Sequence, residues 1–142
     1  MLERSMNTVL EDHEKKIGNR PLILGVSVLT SIDEDDFASL GLLGKLEDQV
    51  KRLADLALDV GLDGIVCSPR ELSILRENFD EDFLLVTPGI RSTGIKKDDQ
   101  KRTSTAKQAI VKGANYVVIG REVTNHNDPR QKINQILKEL QS

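Results

Sequence analysis

The strongest constraint on this chain is an alternation. Four short aliphatic runs are each followed by a segment with helical periodicity, and nothing in between is long enough to be a separate structure. The first run, residues 22–29 (Leu-Ile-Leu-Gly-Val-Ser-Val-Leu), is almost continuously apolar, as expected of a strand buried on both faces. Residues 64–67, 83–87 and 116–120 repeat the pattern. Between them, residues 45–60 place Leu46, Val50, Leu53, Leu56, Ala57 and Val60 on one helical face, and Gly61 follows as a stop. A short acidic helix is expected over residues 33–40, before this long one. Ser68-Pro69 opens a helix to about Phe79, Thr105 caps one over residues 106–112 ended by Gly113, and Asp128-Pro129 opens the last, with Ile133, Ile136, Leu137 and Leu140 facing inward. Leu2, Met6, Val9, Leu10 and Ile17 predict an amphipathic helix at the start, ended by Gly18-Asn19-Arg20-Pro21.

The order α-βα-βα-βα-βα requires parallel strands joined by right-handed crossovers. Four such units make either a small open sheet or half of an eight-stranded barrel. Residues 1–142 read as one domain, without a linker or a low-complexity segment. Gly61-Leu62-Asp63-Gly64-Ile65-Val66 and Gly113-Ala114-Asn115-Tyr116-Val117-Val118 are weak echoes of a repeated βα unit. Aromatics are 3% of the chain, so its core is Leu, Ile, Val and Ala, which suits helices on a parallel sheet.

Charge and composition narrow the function. A net charge of −3 disfavours non-specific binding to nucleic acid. No apolar run reaches the ~20 residues that span a bilayer, and the first twenty residues are too charged for a secretory leader, so a cytoplasmic location is expected. The lone Cys67 has no internal disulfide partner, and His13 and His126 lack metal-ligand spacing, so no metal site is expected.

In parallel α/β folds, chemistry collects at the C-terminal ends of the strands. Here those ends carry Thr30-Ser31, Cys67-Ser68, Thr87-Pro88-Gly89-Ile90-Arg91 and Gly120-Arg121, which are hydroxyls, glycines and arginines with no carboxylate among them. A rim of hydrogen-bond donors selects an anion. Gly120 permits close backbone approach and Arg121 supplies a planar fork, a pairing suited to phosphate. Each residue alone also has a plain structural role, and only their convergence points to a ligand.

Taken in order, Leu29-Thr30-Ser31, Gly61-Leu62-Asp63-Gly64-Ile65-Val66-Cys67-Ser68, Val86-Thr87-Pro88-Gly89-Ile90-Arg91, Asp98-Asp99-Gln100-Lys101-Arg102 and Val118-Ile119-Gly120-Arg121 closely resemble the second half of bacterial orotidine-5'-phosphate decarboxylases. The match covers essentially the whole chain. It implies the C-terminal half of a TIM (β/α)8 barrel, four parallel strands with alternating helices, in a homodimeric family that decarboxylates orotidine monophosphate to uridine monophosphate without a cofactor. By resemblance, Thr30 and Ser31 face the pyrimidine, while Arg91, Gln100, Gly120 and Arg121 hold the phosphate under a closing loop, residues 91–100. Thr105-Ala106 stands where the family usually has Thr-Pro.

The larger departure is chemical. The family's Asp-x-Lys-x-x-Asp motif is absent: the nearest run, Asp99-Gln100-Lys101, is followed at the required position by Ser104. The chain is expected to begin at the helix after the barrel's fourth strand. The resemblance therefore assigns substrate-binding residues and no catalytic residue. Three readings follow: a piece of the decarboxylase working as a homodimer or with a complementing N-terminal half, a non-catalytic nucleotide-phosphate-binding half-barrel, or a degenerate remnant.

Overall fold

The computed structural model describes residues 20–92 and 103–141. The expected first helix and Gln100 lie outside the described residues. Strands β1 (Leu24–Val26), β2 (Gly64–Val66), β3 (Leu84–Thr87) and β4 (Tyr116–Val117) form one parallel sheet in sequence order, β1-β2-β3-β4. Helices α1 (Glu34–Ser39), α2 (Leu46–Asp59), α3 (Leu72–Asn78), α4 (Ala106–Val111), α5 (Arg121–Thr124) and α6 (Pro129–Gln141) lie between and after the strands. A sheet whose strands follow one another in sequence order is the arrangement of a barrel segment, and among the described residues neither β1 nor β4 has a second strand neighbour.

Local sequence explains most helix starts. Asp33 caps α1 by accepting from the Asp36 N–H at 3.0 Å, and Asp36 returns the bond to the Asp33 N–H at 3.1 Å. Thr105 and Gln108 repeat this reciprocal cap on α4. Ser68 caps a turn that precedes α3: its Oγ accepts from Arg70 N–H while Glu71 Oε2 accepts from Ser68 N–H at 2.7 Å. The helix itself begins three residues later than the Ser68-Pro69 pair suggested, with Glu71 at its cap and Leu72 its first residue.

One helix-to-strand joint is built twice. Gly61 and Gly113 adopt φ of +76° and +99°, a left-handed conformation that costs glycine little. Leu62 N–H then reaches back to Ala57 O, and Ala114 N–H to Ala109 O. The next residue stitches the new strand to its predecessor: Asp63 Oδ2 accepts from Ile23 N–H and Asn115 Oδ1 accepts from Leu85 N–H, at 2.7 and 2.8 Å. An arginine grips each carboxylate or amide, Arg20 on Asp63 and Arg76 on Asn115. The hydrogen bond from Arg20 is the main reason that the Asp63 carboxyl sits below its ordinary pKa. The echo in the sequence is thus a repeated device at the N-terminal ends of the strands.

The core lies between sheet and helices. Ile65, Cys67, Leu85, Val50, Ala54, Leu72, Leu75 and Phe37 are all almost fully buried there. Each large aliphatic side chain so buried contributes roughly 1.5–3 kcal/mol. The opposite face of the sheet is apolar and, among the described residues, exposed at its two outer strands. Register aligns Val26, Val66, Val86 and Tyr116 in one row across all four strands. Val26 is 62% and Tyr116 56% exposed.

Three expectations need correction. The aliphatic run at residues 22–29 yields a strand of three residues, and Leu22 and Leu29 are largely exposed, because among the described residues β1 is an edge strand whose ladder ends with its one neighbour. Leu56 faces away from the core, with Ala54 taking its place. On α6 only Ile136 of the expected inward set is buried; Ile133 and Leu137 are about half exposed. Together with Val117, Ile119 and Val123 they line an apolar trough of about 300 Å³ beside β4. No helix among the described residues is long and apolar enough to cross a membrane.

Candidate phosphate-binding rim

The loop leaving β3 turns at Gly89, whose φ of +80° suits glycine. Its far end returns to the same place. Arg91 N–H donates to Ser104 O at 2.9 Å and Ser104 N–H to Gly89 O at 3.3 Å, so the segment between is clamped at both roots. Arg91 is buried, and its guanidinium donates to the neighbouring Ile90 carbonyl at 2.7 Å.

Gly120 and Arg121, both exposed, follow β4 and open the four-residue helix α5. A Cβ placed on Gly120 would meet no atom within 4 Å. Packing therefore gives no reason for glycine there. The very next residue, Glu122, is buried, and it joins the two loops. Its Oε2 accepts from Ser92 N–H at 2.8 Å, and its Oε1 accepts from Ser92 Oγ. Lys132 Nζ, from α6, lies 2.7 Å from Glu122 Oε1 and donates to Ser92 Oγ at 3.2 Å. Burial by itself would raise the Glu122 pKa; the hydrogen bonds from Lys132 and Ser92 outweigh it and hold the carboxyl below its ordinary value, ionised at neutral pH. Removing one partner of a buried pair of this kind costs about 3–5 kcal/mol.

This network sets the Arg91 root beside the Gly120-Arg121 turn, since Ser92 follows Arg91 and Glu122 follows Arg121 directly. Thr30 and Ser31 sit elsewhere: they form a turn four and five residues past the end of β1, at the opposite edge of the sheet. Cys67 and Thr87 point into the helix side of the sheet, where Cys67 Sγ and Thr87 Oγ1 stand 3.9 Å apart, both buried.

Residues 2–136 match the model of the orotidine 5'-phosphate decarboxylase / HUMPS family. The chain belongs to that family. Among relatives named orotidine 5'-phosphate decarboxylase, the Coxiella burnetii protein is 47% identical over 123 residues, which is 87% of this chain and 52% of that protein. The Aliivibrio fischeri protein is 46% identical over 140 residues, 99% of this chain and 60% of its own length. The crystal structure of the Lactobacillus acidophilus decarboxylase superposes with a TM-score of 0.71 at 36% identity, covering 87% of this chain and 51% of that one. An uncharacterised conserved protein from Geobacillus kaustophilus gives 0.76 at 30% identity, covering 99% and 58%. This member of the decarboxylase family thus spans between half and three-fifths of the length of these relatives. Its four units are the α/β architecture of a partial TIM barrel, as the resemblance of its motifs implied.

Sequence reasoning singled out Arg91, Gly120 and Arg121 as candidates and did not single out Glu122 and Lys132. Ten positions apart, on different helices, they read as ordinary helix charges. The one available signal was a glutamate immediately after a Gly-Arg pair at a strand end.

Proposed function

We propose that this chain supplies the phosphate-gripping half of an orotidine-5'-phosphate decarboxylase, acting in pyrimidine biosynthesis in the cytoplasm without a cofactor. Gly120 and Arg121 take the phosphate of orotidine or uridine monophosphate, Arg91 and Gln100 assist from the loop, and Thr30 and Ser31 face the pyrimidine. Holding a remote phosphate contributes binding energy that helps close the site over the reacting ring. The observation that carries the reading is the junction of Ser92 with Glu122, which puts the roots of two donor-bearing loops on one rim. The open space at Gly120 is consistent with a ligand approaching the backbone there.

The test separates binding from folding. Uridine monophosphate is titrated by calorimetry into wild type, Gly120→Ala and Arg121→Ala. Gly120→Ala is expected to keep close to the wild-type melting temperature, since a Cβ there meets open space, and the melting temperature of Arg121→Ala is measured alongside. Arg121→Ala is expected to bind at least tenfold more weakly, the loss of a charge-assisted contact of about 1.5–3 kcal/mol, and Gly120→Ala to bind more weakly because its methyl stands where the phosphate would approach the backbone. Equal affinity across the three proteins, or none in wild type, refutes the phosphate assignment.

The same reading assigns a partner: a second copy, as a homodimer, or a complementing N-terminal half. The row Val26, Val66, Val86 and Tyr116 would fill the interior of a closed barrel, and the trough beside β4 would receive a neighbouring unit. Neither edge strand carries the proline or inward lysine that blunts exposed edges. Sedimentation at roughly micromolar concentration is expected to show a species heavier than the 15.8 kDa monomer. A stable monomer counts against self-association.

A further inference from the structure

The proposed phosphate subsite carries an electrostatic conflict. Glu122 follows Arg121 directly, and its side chain is 1% exposed. A carboxylate in that position repels an incoming phosphate dianion, and burial weakens the water screening that would soften the repulsion. The carboxylate nevertheless has a task, since both of its oxygens hold Ser92 at the root of the loop. Lys132 stands on α6, its side chain 10% exposed, with its ammonium against Glu122 Oε1 and Ser92 Oγ together.

We infer that Lys132 is a positioning residue of the phosphate subsite: its ammonium cancels the Glu122 charge, so that the carboxylate can hold the loop root without repelling the anion. The inference rests on the phosphate reading above. The groups placed against the Glu122 carboxylate are Ser92 from the loop and Lys132 from α6, and the neighbouring cations in sequence are Arg91 and Arg121. A simpler role would make the pair only a strut between α5, α6 and the loop.

The two roles differ in sign for Glu122→Gln. Glutamine still offers Ser92 an acceptor and a donor, but it leaves the Lys132 ammonium buried without a counter-charge. A strut would then weaken both fold and binding. A charge-cancelling device would weaken the fold and strengthen phosphate binding. Inorganic phosphate and uridine monophosphate are titrated into each variant at a temperature where it is fully folded, with melting temperatures measured in parallel. Glu122→Gln is expected to melt lower yet bind both ligands several-fold tighter. Lys132→Met is expected to bind them on the order of tenfold more weakly, Lys132→Arg to retain wild-type affinity, and the double variant Glu122→Gln/Lys132→Met to return to it. Uridine, which lacks the phosphate, is expected to distinguish none of them. If Lys132→Met does not fold, the sign of the Glu122→Gln effect decides. Weaker phosphate binding by Glu122→Gln, or unchanged affinity in folded Lys132→Met, overturns the inference while leaving the phosphate subsite standing. Failure of wild type to bind either phosphate compound removes the subsite and this role together.

Discussion

Mixed with orotidine monophosphate, the 142-residue chain alone is expected to leave the orotate absorbance unchanged. Its relatives are named for the decarboxylation, but the chain spans about half of their length, and its sequence contains no Asp-x-Lys-x-x-Asp array. By resemblance to the family, that array supplies the lysine that protonates the developing carbanion and the carboxylates paired with it. Phosphate contacts cannot replace a proton donor at the reacting carbon. Removal of a complete catalytic array is expected to lower turnover by roughly six orders of magnitude. The decisive measurement is the absorbance decay with pure chain at high enzyme concentration. A rate near that of a full-length relative refutes the expectation. Recovery of activity on adding a polypeptide that carries the missing motif supports the reading of this chain as one half of a barrel.

The second large effect is structural. Gly64→Ala is expected to unfold the chain or destabilise it by about 3 kcal/mol or more, at the upper end of overpacking penalties. A Cβ at Gly64 would lie 2.1 Å from the Leu84 carbonyl oxygen and 2.6 Å from Leu84 Cβ, and the neighbour is the backbone of the adjacent strand, which cannot rotate aside. Gly25 is the control. A Cβ there would meet Leu62 Cδ1 at 3.2 Å and Ala57 Cβ at 3.5 Å, where a side-chain tip can yield. Gly25→Ala is therefore expected to cost far less. Denaturant melts of both variants test the contrast. Equal stability of Gly64→Ala and wild type would mean that the two strands separate more freely than their registered pairing implies.

The sequence carried the architecture because parallel βα units write themselves in two periods at once. The reciprocal caps at Asp33 and Thr105 and the turn glycines at 61 and 113 appeared where local chemistry placed them. Strand lengths did not. The apolar run at 22–29 records burial on both faces, whereas a hydrogen-bonded ladder needs a neighbour, and among the described residues β1 has one only on one side. The α6 face departed for a related reason: Ile133 and Leu137 are apolar yet remain about half exposed among the described residues. At the rim, Arg91 and Arg121 were legible as donors at strand ends. The Ser92–Glu122–Lys132 network was not, because its members come from three segments whose juxtaposition only the fold decides.

The twin joints at Gly61–Asp63 and Gly113–Asn115 have a consequence for how such a chain tolerates change. Both lie at the floor of the sheet, and each adds a side-chain tie between one strand and the strand before it to the backbone ladder. These side-chain ties lie at the end of the sheet away from the candidate phosphate rim. Evolution can therefore rewrite the ligand-facing end without breaking either tie, and can multiply or rearrange whole units, because part of the instruction for lining up travels inside each unit.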